Sequence, residues 1–217
     1  MNTSALNNGS SNPLDIFNFD FVAPQPTQDT ELLQQLSFVP GLKEILALRQ
    51  VHALEHATVW VLSETRNPRL PRGVSSNFQV DNELLGGLST DQGFYLYGEV
   101  NISDLRRAVT VALQRLTNGE WDLAVHPRCG TNMSVAMLLT AGLAVGMHLV
   151  LPRGPIEQLF GLGFAATTAA ELAPNVGALA QRYLTTSIPF NLGIENITMT
   201  RDVWGREAHF VKVNWKG

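Results

Sequence analysis

From Cys129 to Pro152 the chain carries no formal charge, and Met133 to Leu151 alone gives 19 consecutive uncharged, mostly apolar residues. A helix of that length, rising ~1.5 Å per residue, reaches across the hydrocarbon of a bilayer. After a Pro152-Arg153-Gly154-Pro155 turn, Gln158 to Gln181 forms a second such segment with Glu171 as its only charged side chain. The pair predicts a hydrophobic helical hairpin at about residues 133–181, in which the Gly142/Gly146 spacing lets the helices approach closely. A buried Ala- and Gly-rich helix pair in a soluble protein is the competing reading. The two-span membrane anchor is preferred. Charged residues make up only 16% of the 217 positions, against roughly 25% in ordinary soluble proteins, so water faces an unusually small share of this chain.

The rest of the sequence reads as a mixed α and β domain. Residues 1–28 are rich in Asn, Ser, Pro and Gln, lack Lys and Arg, and read as a disordered tail. Its Phe-Asn-Phe-Asp-Phe run at 17–21 is read as local packing, with docking to a protein partner as the alternative. Asp29 is placed to cap a short helix through about Ser37, and a long helix follows from Leu42 to about Ser63. Asn67-Pro68, Pro71 and Gly73 mark a loop. Leu84–Ser89 and Phe94–Val100 flank a turn-like Thr90-Asp91-Gln92-Gly93 and predict a β-hairpin. Ser103 and Asp104 open a helix to about Thr117, with Leu105, Val109, Ala112 and Leu116 as its apolar stripe. Alternation returns at Ile194–Arg201 and Ala208–Trp215, a terminal β-hairpin. The expected fold is a single α+β domain over 29–217: long buried helix, β-hairpin plus helix, hydrophobic helical hairpin and C-terminal β-hairpin.

Several function classes are excluded at this level. A formal net charge of −4 without a basic run disfavours a nucleic-acid partner. A single cysteine, Cys129, makes no internal disulfide and is read as core, ligand or nucleophile. The start of the chain lacks the pattern of a secretory signal, which places the N-terminus on the cytosolic side.

The chemistry gathers in two strings. His52-Ala-Leu-Glu55-His56 lies inside the long helix, where ~100° per residue puts Ile45, Leu48, His52, Glu55, His56 and Val59 on one stripe. Two imidazoles one turn apart can converge on a divalent ion, and in the inverted zincins this HxxEH spacing supplies two zinc ligands and a glutamate base. His126-Pro127-Arg128-Cys129-Gly130-Thr131 brings imidazole and thiol three positions apart in a turn leading into the uncharged helix. Imidazole and thiolate both suit zinc. If His52, His56, His126 and Cys129 all bind, the site is closed and structural; if three bind, the fourth position stays open and Glu55 acts as base. A satisfied hydrogen-bond network without metal is the alternative. Arg128 is read as an interfacial arginine, Glu171 as a kink-facing carboxylate, and His148 and His209 as structural.

HALEHATVW followed by HPRCGTN resembles an uncharacterised bacterial family of unknown function, best known from photosynthetic bacteria, over about Leu32 to Trp215. The short motifs are also similar to a separate family of bacterial membrane proteins described only as predicted metal-dependent enzymes. The matching positions are His52, Glu55, His56, Thr58 and the run from His126 to Thr131. The resemblance implies a paired site and supplies no reaction. The chain departs from true inverted zincins in having HPRCG where a downstream glutamate ligand would stand, so their peptidase activity is not carried over. The expected function is a membrane-associated protein with a zinc site, as a metal-dependent hydrolase. Two alternatives stand beside it: Cys129 as a nucleophile activated by a histidine, and a non-enzymatic scaffold or assembly factor. The expected location is the cell membrane or an internal photosynthetic membrane, with the cytoplasm as the alternative.

Overall fold

The computed structural model describes residues 23–66 and 84–216. The tail reading for residues 1–22, the Phe-rich run within it, and the loop at 67–77 lie outside the described residues. Helix α1 (Gln28–Gln35) leads to α2 (Leu42–Arg66), strands β1 (Gly86–Thr90) and β2 (Gly93–Tyr97), and helix α3 (Ile102–Thr117). A 3₁₀ turn at Trp121–Ala124 precedes α4 (Gly130–Val150) and α5 (Pro155–Ala180); a π turn at Gln181–Thr185 then leads to β3 (Leu192–Arg201) and β4 (Glu207–Trp215). The fold is mixed α+β and ends on the expected hairpin.

The two hairpins are one sheet. β4 pairs with both β3 and β2, giving the antiparallel order β1-β2-β4-β3. Strand alternation sends Phe94, Leu96, Val211 and Val213 inward against α2 and α3, and His209 lies buried on that same face. α3 contributes the predicted stripe of Leu105, Val109, Ala112 and Leu116, all buried. Its N-cap is Asn101, whose side chain accepts the Ser103 N–H, so the helix opens slightly before the expected Ser103.

α2 is the core helix: from Gln50 to Ser63 every side chain except His52 is buried. The polar groups on it are matched. Gln50 donates to Asp29 and Asn191 and accepts the Asn191 N–H. Asp29 therefore does not cap α1 as the sequence suggested; Thr27 stands at the N-cap, and the buried carboxylate of Asp29 is turned towards Gln50 and Ser187.

The helical hairpin forms, but its seam differs from the expectation. α5 buries Gly161, Ala165, Ala169, Ala173 and Gly177 at every fourth position, whereas α4 buries none of its residues. Gly142 and Gly146 point into open space and do not mediate the approach. The close contacts come from α5: a Cβ on Gly161 would lie 2.6 Å from Leu151 Cδ1. Among the described residues, α4 alone is long and apolar enough to cross a membrane. α5 carries Glu157, Glu171 and an internal Pro174, so the two-span pattern is met by one helix. Both helices nonetheless expose large apolar side chains, among them Leu138, Val145, Leu149, Leu159, Phe160 and Phe164.

Candidate metal centre

The HALEH stripe lines a cleft of about 650 Å³ between α2, β1, the HPRCG turn and the π turn after α5. Ile45, Leu48, His52, Glu55, His56 and Val59 all face it, as their helical spacing requires. Seventy residues separate His56 from His126, yet the fold seats the HPRCG turn directly on α2. Trp60 Nε1 donates to the Val125 carbonyl at 3.0 Å, and buried Gln181 accepts the His126 N–H at 2.8 Å while donating to Asn132 Oδ1 at 2.7 Å.

Within this cleft His52, His56 and Cys129 bring one potential ligand atom each to within 4.8 Å of one another. The orientation of both imidazoles is set by backbone. His52 Nδ1 lies 3.0 Å from the Thr185 carbonyl and His56 Nδ1 lies 2.7 Å from the Ala124 carbonyl. A carbonyl only accepts, so each Nδ1 carries a proton, and in the neutral imidazole each Nε2 keeps a lone pair for the cleft. Cys129 Sγ stands 3.2 Å from His52 Nε2 and accepts the Thr131 N–H as N-cap of α4. Burial lifts the thiol, but hydrogen bonding and charge from His56, with the Thr131 hydroxyl and N–H, outweigh it and lower the pKa from its ordinary value. A helix N-terminus favours the thiolate in the same direction.

Glu55 is 7% exposed and lies on the β1 side, where Ser89 Oγ donates to its Oε2. A Cβ on Gly87 would overlap its carboxyl group, so glycine at that strand position makes the room. Burial raises the Glu55 pKa, against the Ser89 hydrogen bond and the charge of His52, which lower it. His126 is not one of the His52/His56/Cys129 group, although its ring centroid lies 5.6 Å from that of His56. Its ring packs on Trp60 with centroids 4.6 Å apart, and its Nδ1 accepts the Arg128 N–H at 3.3 Å. That second bond braces the turn that carries Cys129.

The remaining candidates are elsewhere. Arg128 lines the cleft with a guanidinium N–H 3.5 Å from the Leu85 carbonyl. Glu171 is exposed on α5, His148 bonds Gln158 near the tip of the hairpin at 2.8 Å, and His209 sits in the sheet. Sequence reasoning missed Ser89, Gly87, Gln181 and Thr185. Gln181 had a visible signal, an uncharged polar side chain closing an apolar helix; Thr185 and Ala124 act through carbonyls, which no residue type announces.

A family model described as a domain of unknown function, DUF6391, matches residues 47–197. The chain belongs to this family. The DUF6391 interval takes in both motifs, every cleft-lining residue except Ile45, and the whole helical hairpin. An uncharacterised protein of Picosynechococcus sp. (strain ATCC 27264 / PCC 7002 / PR-6) is 52% identical over 197 residues, covering 91% of this chain and 94% of the relative. No solved structure matches the chain.

Proposed function

We propose that this DUF6391 protein is a membrane-associated, metal-dependent hydrolase in which His52, His56 and Cys129 hold zinc. The observation that carries the reading is the pair of backbone carbonyls that fix both Nδ1 protons and turn two Nε2 lone pairs towards one thiol. Two imidazoles and a thiolate fit the donor preferences of zinc, and three protein ligands leave a fourth tetrahedral position open. Zinc supplies Lewis-acid polarisation of water and of the scissile bond when it is bound.

The protein groups carry the proton. Glu55, on the same stripe and with a raised pKa, takes the proton that water gives up and returns it to the leaving atom. Water oxygen adds to the scissile carbon as the leaving bond breaks, so the products are those of hydrolysis. His126 is assigned to positioning, through the Arg128 N–H, rather than to the metal. The membrane assignment is supported by the wholly unburied, charge-free α4. Metal analysis of the purified chain and carbonate extraction of the membrane fraction test the two halves. Stoichiometric zinc in a carbonate-resistant fraction supports them, and a metal-free or soluble chain removes the corresponding half.

The 3.2 Å contact between Cys129 Sγ and His52 Nε2 favours a second reading, a thiolate nucleophile with an imidazole base oriented by Thr185. Metal-free protein whose Cys129 is alkylated rapidly at neutral pH selects it.

A further inference from the structure

The cleft is not polar along its length. Its inner end holds the His52/His56/Cys129 group and Arg128, while its outer end is walled by Ile45, Leu48 and Leu184, which are 55%, 40% and 71% exposed. Such side chains facing water over a catalytic-sized cavity are costly, at ~25 cal/mol per Å² of apolar surface. Their position gives them a neighbour. Leu184 lies in the π turn that closes α5, and Arg49 clamps that turn to α2 through the Tyr183 and Thr186 carbonyls at 3.1 and 3.0 Å. The apolar wall therefore ends at the foot of the α4–α5 hairpin, whose own surface exposes large apolar side chains.

Resting on the proposed function, we infer that the substrate is a lipid-type amphiphile, one alkyl chain lying along Ile45, Leu48 and Leu184 and its carbonyl linkage reaching His52, His56 and Cys129. The seven residue steps from Ile45 to His52 span ~10 Å of helix, which seats the chain-proximal methylenes and leaves the rest of the chain in the bilayer.

The test is photolabelling of the full chain in phospholipid nanodiscs with two long-chain fatty acids, one bearing a diazirine next to the carboxyl group and one bearing it further along, among the chain-proximal methylenes. The carboxyl-proximal probe is expected to label the segments around Thr131 and Thr185, and the methylene probe the Ile45–Leu48 peptide. Ile45→Glu with Leu48→Arg, both at exposed positions, is expected to cut α2 labelling at least tenfold and leave α4–α5 labelling unchanged. Labelling confined to α4–α5, or α2 labelling equal in the double variant, overturns the inference. His52→Ala separates the two claims: α2 labelling persists after metal is lost. A wild-type chain that labels on α2 and holds no metal therefore sinks the metal reading alone, and one that holds zinc and never labels on α2 sinks the lipid reading alone.

Discussion

Cys129 Sγ lies 3.2 Å from Nε2 of His52, although the two residues are 77 positions apart and sit on different helices. The contact joins the N-terminus of α4 to the middle of the core helix α2. It exists because the chain between them is pinned at Ala124, Val125 and His126, by His56, Trp60 and Gln181 in turn. The root of the apolar hairpin and the candidate metal centre are thus one construction. Disturbing the π turn at Gln181–Thr185 moves the carbonyl that orients His52 and the glutamine that holds His126 together.

One zinc per chain is expected by elemental analysis of protein purified without chelator. His52→Ala, His56→Ala and Cys129→Ala each lower it to less than a tenth, because a three-ligand site has no ligand to spare. His126→Asn keeps the zinc and melts earlier, since it loses the Trp60 packing while the other three donors stay. In the zinc-loaded protein, long-range ¹H–¹⁵N spectra show both His52 and His56 as Nδ1–H tautomers. Zinc retained in Cys129→Ala contradicts the assignment.

The Glu55 carboxyl sets a pH dependence in the metal-free chain. Its folded pKa is raised above the ordinary value of 4.5, so the stability it leaves intact is full below about that pH and is lost as pH rises through the folded pKa. Glu55→Gln removes the penalty of a buried carboxylate. The expected result is a metal-free Glu55→Gln chain that melts above wild type near neutral pH, with the gap closing below about pH 4.5. Melting curves at constant ionic strength from pH 4 to 8 read it. Zinc content is expected to be unchanged in the same variant, with turnover lost.

Asp202 gives the opposite sign. It accepts the Tyr97 hydroxyl at 2.7 Å, the Trp204 and Arg206 N–H groups at 2.9 Å each, and Arg206 Nε at 2.7 Å, tying the β3–β4 turn to β2. Burial would lift this carboxyl, but the Tyr97 and Arg206 hydrogen bonds with that of Trp204 hold it down at about 2, from an ordinary 3.8. A depressed pKa contributes stability above the unfolded value that disappears as pH falls through the folded one. Asp202→Asn is expected to melt a few degrees below wild type at pH 7, with the difference shrinking between pH 3.8 and about 2. A gap that stays constant across that window assigns the effect to packing and contradicts the linkage.

What the sequence revealed divides along periodicity. The stripe from Ile45 to Val59 was legible because a 3.6-residue repeat has a phase, and the polar residues His52, Glu55 and His56 mark it against an apolar background. Each β-hairpin was legible from its alternation, but their union was not, because the β2–β4 pairing joins Phe94 to Val211 across more than a hundred residues with no local signal. The convergence of both motifs followed from the cost of burying Glu55 and two imidazoles without partners. That the Cys129 thiol and not the His126 ring comes within 4.8 Å of both His52 and His56 did not follow, since it depends on where the turn points each side chain. α4 failed for a different reason. A helix apolar on every side has no phase to read, so Gly142 and Gly146 were visible as a motif but not as a direction.

The seam prediction turns that failure into a measurement. Ala169 is fully buried on the α5 face that packs on α4, and the fourfold spacing from Gly161 to Gly177 keeps this face narrow. Ala169→Leu adds three heavy atoms to a contact with no room for them and is expected to destabilise the hairpin by ~1–3 kcal/mol. Gly177→Ala drives a Cβ into Asn132, which carries the Gln181 bond and through it the His126 turn, so it is expected to lower zinc content as well as melting temperature. Gly142→Ala and Gly146→Ala meet nothing within 4 Å and remove helix-interior glycine, so each is expected to be neutral or stabilising by about 0.5–1 kcal/mol. Thermal melts by circular dichroism in one detergent compare all four. Should Gly142→Ala and Gly146→Ala cost as much as Ala169→Leu, α4 presents its glycine face to a helix, and the seam placed on α5 is wrong.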